Sequence, residues 1–204
     1  MTRIDKVFRQ LKQKGEKALI PFITAGDPDL ETSRRLALEI AARGADLLEL
    51  GIPFSDPLAD GPTIQAASSR ALKNKVHFTD VLDLAGKLRR DTDIPLVLMG
   101  YYNPILQYGL EKAAQDAAQQ GVDGFIIPDL PLEEARSWRA TAPEFGVDTI
   151  FLAAPTSGPE RLKSLGRLTR GFLYYVSVTG ITGARTDLPQ ELIQELDKVR
   201  AAVK

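Results

Sequence analysis

Six short runs in this chain are almost wholly apolar, and each is followed by a segment with helical spacing. The runs are "ALIPFITA" from residue 18, "DLLELGIP" from 46, "PLVLMGYY" from 95, "GFIIPD" from 124, "TIFLAAP" from 149 and "GFLYYVS" from 171. Strands read this way when helices cover both faces of a parallel sheet. The intervening segments include "LETSRRLALEIAARG", "LEKAAQDAAQQG", "LEEARSWRATAPEFG" and "PERLKSLGRLT", with helical apolar periodicity. Gly44, Gly121 and Gly146 stand where helix C-caps belong. The stretch 61–92 reads as two helices divided by "KNKVHFTD", with Thr79 as the expected cap of the second.

Repeated β-α units joined by right-handed crossovers build either an open doubly wound sheet or a (β/α)-barrel. Even spacing, with no G-x-G-x-x-G after the first strand, favours the barrel. The fold class is therefore α/β, with a TIM (β/α)8-type barrel favoured and an open sheet left as the alternative. The units number six here, and the chain of 204 residues ends with the helical segment "LPQELIQELDKVRAAVK". A closed barrel takes eight units and about 250 residues. The expectation is one barrel domain over residues 1–204 that lacks the last two β/α units.

Twenty-six basic and 27 acidic residues give a formal net charge of −1. That balance argues against nucleic acid or an anionic membrane as a partner. There is no cysteine, which removes disulfides and thiolate metal sites. The first residues, "MTRIDKVFRQLKQKGEK", are charged and amphipathic without an apolar signal core. No apolar run is long enough to cross a bilayer. A cytoplasmic location is expected.

In either architecture the site lies at the C-terminal ends of the strands. Those ends collect Phe22, Thr24, Glu49, Tyr101, Tyr102, Asp129, Thr156, Tyr174 and Tyr175. The most unusual loops are "GIPFSDPLADGP" and "SVTGITGARTDLP", and Gly180 and Gly183 in the second read as hinges of a lid. The single histidine, His77, falls in a connector between helices, so Ser-His-Asp and zinc hydrolase chemistry lack their parts. No lysine ends a strand run, which leaves a Schiff base without a nucleophile. Carboxylate and phenol chemistry remains. Glu49 ends an apolar run, where desolvation raises a carboxyl pKa toward neutrality and suits it to pass protons. The other reading of Glu49 is a structural acid paired with a neighbouring donor. Asp60 is either a second acid of the site or the N-cap of the helix near Pro62. Asp56, before Pro57, is either a site acid or a turn residue. The acids show no compact metal-binding spacing, so no metal is expected. Phe22, Tyr101, Tyr102 and Tyr174 either line a pocket for a flat apolar substrate or pack the barrel top.

Three motifs then carry a resemblance: "PFITAGDP" (21–28), "LELGIPFSDPLADGPTIQAA" (48–67) and "TGITGAR" (179–185). In order and spacing they closely resemble the α subunit of tryptophan synthase, over the whole chain. The resemblance implies a TIM barrel that cleaves indole-3-glycerol phosphate into indole and glyceraldehyde 3-phosphate, without metal or Schiff base. It implies Glu49 as the catalytic acid and base, Asp60 as the group facing the indole N–H, and Tyr174 beside the glutamate. It further implies Phe22 and Tyr101 as indole contacts, Thr182 as a lid contact to Asp60, and Gly183 as part of the phosphate grip. The implied partner is the β subunit in an α2β2 assembly, met through Asp56 and Pro57 and through the "YYNP" loop at Asn103 and Pro104. Pyridoxal phosphate is expected on that partner, with no cofactor on this chain. Because the last two units of the family barrel are not in the sequence, little or no cleavage by the isolated chain is expected. The alternative is a module that docks on and activates a partner without doing chemistry.

Overall fold

The computed structural model describes residues 1–176 and 192–203. Five strands pair in parallel, each with its neighbour in the chain: β1 (Phe22–Thr24), β2 (Leu48–Gly51), β3 (Leu96–Met99), β4 (Gly124–Ile126) and β5 (Asp148–Ile150). Beyond Phe151 the chain continues as β6 (Leu152–Ala153), which pairs in parallel with β7 (Tyr174–Tyr175). The run expected as one strand from 149 is thus two pieces, the first paired with β4 and the second with β7. Strands of a barrel are staggered, so one strand meets its two neighbours over different stretches.

Register explains which residues look inward. Phe22, Glu49, Val97, Gly124 and Asp148 form one row across the sheet, and Thr24, Gly51, Met99, Ile126 and Ile150 form the next. Side chains alternate along a strand, so Leu48, Leu50, Leu96, Leu98 and Phe125 face the opposite way, into the main core beneath the helices. The inner rows build a second cluster of Leu47, Val97, Ile126 and Ile150, closed at the foot by Ile4. Ile4 belongs to α1 (Arg3–Lys14), whose start is fixed by a reciprocal Thr2–Asp5 capping box. Also at the foot, the Asp123 carboxylate is 5% exposed and accepts from Leu96 N–H, Arg89 and Arg3 at 2.9–3.0 Å.

The helices are α2 (Leu30–Ala42), α3 (Pro62–Lys73), α4 (Phe78–Arg89), α5 (Tyr102–Tyr108), α6 (Leu110–Gln119), α7 (Arg136–Thr141), α8 (Pro159–Leu168) and α9 (Leu192–Ala202). Gly44, Gly121 and Gly146 follow α2, α6 and the 3₁₀ turn after α7 with positive φ, as expected for C-terminal caps. Three expectations need correction. The cap of α4 is His77, whose N–H donates to Asp80 at 2.8 Å, so Thr79 already lies inside the helix. The "YYNP" segment is the first turn of α5 rather than a loop, and a proline is tolerated there because first-turn N–H groups have no helical partner. The segment from Leu132 begins with turns bonded Glu134 to Pro131 and Ala135 to Leu132, and becomes helical only at Arg136.

Candidate active site

Glu49 sits mid-strand in β2, flanked by Phe22 on β1 and Val97 on β3. It is 5% exposed, and its carboxyl has no hydrogen-bond partner among the described residues. Burial alone pushes its pKa up to about 7, because a carboxylate there loses water and gains no donor in return. The reading of Glu49 as an acid paired with a neighbouring donor finds no such donor among the described residues.

Tyr174 and Tyr175 separate by the alternation of a strand. Tyr174 packs with the inner cluster, where burial and the nearby Glu49 charge raise its phenol pKa. Tyr175 faces outward toward α8 and α9, beside Glu195 and Lys198.

One layer above Glu49, a cleft opens at the strand ends, walled by Phe22, Thr24, Gly51, Asp60, Met99 and Tyr101. The Phe22 ring lies against Gly51, where an added Cβ would come within 2.5 Å of Phe22 Cζ. The Tyr101 hydroxyl accepts from Ala59 N–H at 2.9 Å and donates to Asp60 Oδ2 at 3.1 Å. It therefore ties the 52–61 loop to the end of β3. Burial pushes the Tyr101 phenol up to about 12, so it stays a neutral donor. The Asp60 carboxyl is also raised by burial, against the opposing effect of the Tyr101 hydrogen bond. Asp60 does not cap α3, because the cap position is Gly61 with Pro62 as the first helical residue.

The Asp129 carboxylate accepts from Tyr102 N–H at 2.8 Å at the start of α5, and its charge also acts on the Tyr101 phenol of the cleft. Asp56 is exposed and Pro57 half-buried in the loop after β2. Asn103 is exposed and Pro104 half-buried in the first turn of α5. These four residues and the cleft share the upper rim. Thr182 and Gly183 lie outside the described residues. Gly51, Ile64, Ser68, Met99 and Pro128 join the cleft without having been singled out from sequence. Gly51 was within reach of such a reading, since it follows Glu49 by two and so shares its face. Thr24 is also buried in the wall, and its hydroxyl has no partner among the described residues. The described residues contain no group of three acids or histidines able to hold a metal ion. No helix among them is long and apolar enough to cross a membrane.

The family described as "Tryptophan synthase alpha chain" matches residues 8–204. The tryptophan synthase alpha chain of Geotalea uraniireducens is 51% identical over 203 residues, covering 100% of this chain and 76% of the relative. The crystal structure of tryptophan synthase subunit alpha from Legionella pneumophila superposes with a TM-score of 0.92 at 42% identity. That match covers 100% of this chain and 76% of the other. A structure of the tryptophan synthase a2b2 complex from Pyrococcus furiosus, described in terms of mutual activation, matches with a TM-score of 0.86 and 42% identity. It covers 92% of this chain and 75% of that one.

Proposed function

The chain belongs to the tryptophan synthase alpha chain family, and we propose that it supplies the acid–base site for retro-aldol cleavage of indole-3-glycerol phosphate. The products are indole and glyceraldehyde 3-phosphate. The observation that carries this reading is Glu49: buried, without a donor among the described residues, and near neutrality in pKa.

A carboxyl poised near the working pH gives and takes a proton with similar ease. Protonated Glu49 delivers its proton to indole C3, leaving positive charge spread toward the indole nitrogen. The Asp60 carboxylate, held by Tyr101, faces that N–H and offsets the charge. Glu49, now ionised, takes the proton of the adjacent glycerol hydroxyl. That oxygen becomes the aldehyde carbonyl, the bond to C3 breaks, and its electron pair restores the indole ring. Tyr174 stands by the glutamate and adds no formal charge. The Phe22 and Tyr101 rings bracket the flat indole. Thr182 and Gly183 are assigned to the lid and the phosphate on the family pattern alone.

The partner is a β subunit that docks on the rim formed by Asp56, Pro57, Asn103 and Pro104. Pyridoxal phosphate belongs to that subunit, and no step on this chain passes through it. The assay is indole release from indole-3-glycerol phosphate by the native protein with β subunit, wild type against Glu49→Gln. Loss of a positioned acid–base should slow release by at least about a hundredfold. Equal rates would remove Glu49 from the reaction.

A further inference from the structure

At the opposite end of the barrel from the cleft, α7, α8 and the segment leading into β7 border an open pocket of about 320 Å³, with Arg139 half-buried and Arg167 and Arg170 exposed. It is lined by Arg139, Pro143, Thr149, Arg167, Leu168, Thr169 and Arg170, a wall with three guanidinium groups and no carboxylate. The size falls at the small end of small-molecule sites.

The cavity is built on anchored backbone. Arg170 N–H donates to Thr149 O at 2.9 Å. The Thr169 hydroxyl accepts from Phe151 N–H at 3.1 Å and donates to Phe172 O at 2.8 Å. The 169–172 segment is thereby held on β5. Arg139 stands in the last turn of α7 and Arg167 in that of α8. The negative ends of those helices offset part of the repulsion between the arginines, but they leave the N–H donors unused. None of the three side chains makes an ion pair or a side-chain hydrogen bond among the described residues. Arg167 acts electrostatically on Glu160, and Arg170 on Asp148, without bonding. Neither acid lines the cavity, and Asp148 faces the barrel interior.

A second observation lies in the floor. Thr149 is 5% exposed, and its hydroxyl has no partner among the described residues. Leaving such a group unbonded is unfavourable, because it loses its bonds to water and gains none in return.

We infer that this cavity is a binding site for a small oxyanion carrying two negative charges, with a phosphate group as the best match. Planar guanidinium forks recognise phosphate oxygens two at a time. Three such groups around one space favour a tetrahedral dianion over a single halide. The buried Thr149 hydroxyl below them makes no competing bond among the described residues. The site is separate from the cleft, so its occupancy does not require the substrate.

The test is a titration with inorganic phosphate at fixed ionic strength, followed on the arginine Nε–H resonances by NMR, with chloride as the control. Saturable shifts at Arg139, Arg167 and Arg170 are expected with phosphate and not with chloride. Arg170→Gln should weaken binding by about tenfold or more, the worth of one charge-assisted hydrogen bond. Arg170→Lys keeps the charge without the fork and should weaken it as well. Equal responses to phosphate and chloride, shifts confined to cleft residues, or unchanged affinity in both variants would overturn the proposal.

Discussion

A carboxyl that binds its proton more tightly when folded than when unfolded makes stability depend on pH. Glu49 rises from an ordinary 4.5 to about 7, and burial is the cause. Between those values the folded chain holds a proton that the unfolded chain has released. Its contribution is therefore intact below about pH 4.5 and is lost as pH climbs to about 7. The loss amounts to at most about 3 kcal/mol. Urea unfolding below and above that window should show wild type weakening by this order, and Glu49→Gln weakening much less. Parallel pH dependence in the two proteins would contradict the placement of this group. At this scale the sequence was readable where chemistry clashed with context. An acid closing an apolar run signals desolvation by itself. Asp129 was harder to read, because an acid at a strand end also suits the start of the next helix, and only the structure reveals its bond to the α5 N–H. The resemblance singled out Tyr174, and the pairing with β6 supplies the physical reason by fixing which face Tyr174 and Tyr175 each occupy.

Strand ends and loops position these groups, and close approach of backbone to side chain sets the tolerance. Gly51 carries the Phe22 ring, so Gly51→Ala forces a methyl to within 2.5 Å of it. Overpacking of this kind costs about 1–3 kcal/mol. The expected outcome is a lowered denaturant midpoint together with a displaced Phe22 aromatic signal. An unchanged midpoint and spectrum would mean that the ring rests elsewhere. Among the described residues the six apolar runs located each strand to within a residue, though one run holds two strands, because burial on both faces erases alternation and leaves continuous apolar stretches. Boundaries were harder to read. Thr79 has the chemistry of a cap, yet Asp80 accepts from the N–H of His77 and starts α4 two residues earlier. The α5 helix escaped notice because Asn-Pro reads as a turn, while its first turn needs no N–H from the proline.

Across the molecule, the strand order and the foot of the barrel hold the units together. Asp123 connects α1, α4 and β3 through Arg3, Arg89 and Leu96 N–H. Removing one partner of a buried pair strands the other charge, at a cost of about 3–5 kcal/mol. Asp123→Ala should therefore lower global stability by that order and speed amide exchange in β3 and β4 together. A change confined to the α1 terminus would refute this bridging role. The α/β class, with a barrel favoured over an open sheet, followed from the rhythm of β-α units, whereas the separate pairing of β5 with β4 and of β6 with β7 is a long-range arrangement that no local pattern carries. The account rests on the state of one carboxyl inside that barrel, and its titration can be followed directly. Carbon-13 NMR of the labelled glutamate side chains, with the Glu49 signal assigned through Glu49→Gln, should give a midpoint of about 7. A midpoint in the ordinary range near 4.5 would mean that the group is hydrated, and would contradict the proposed proton transfer.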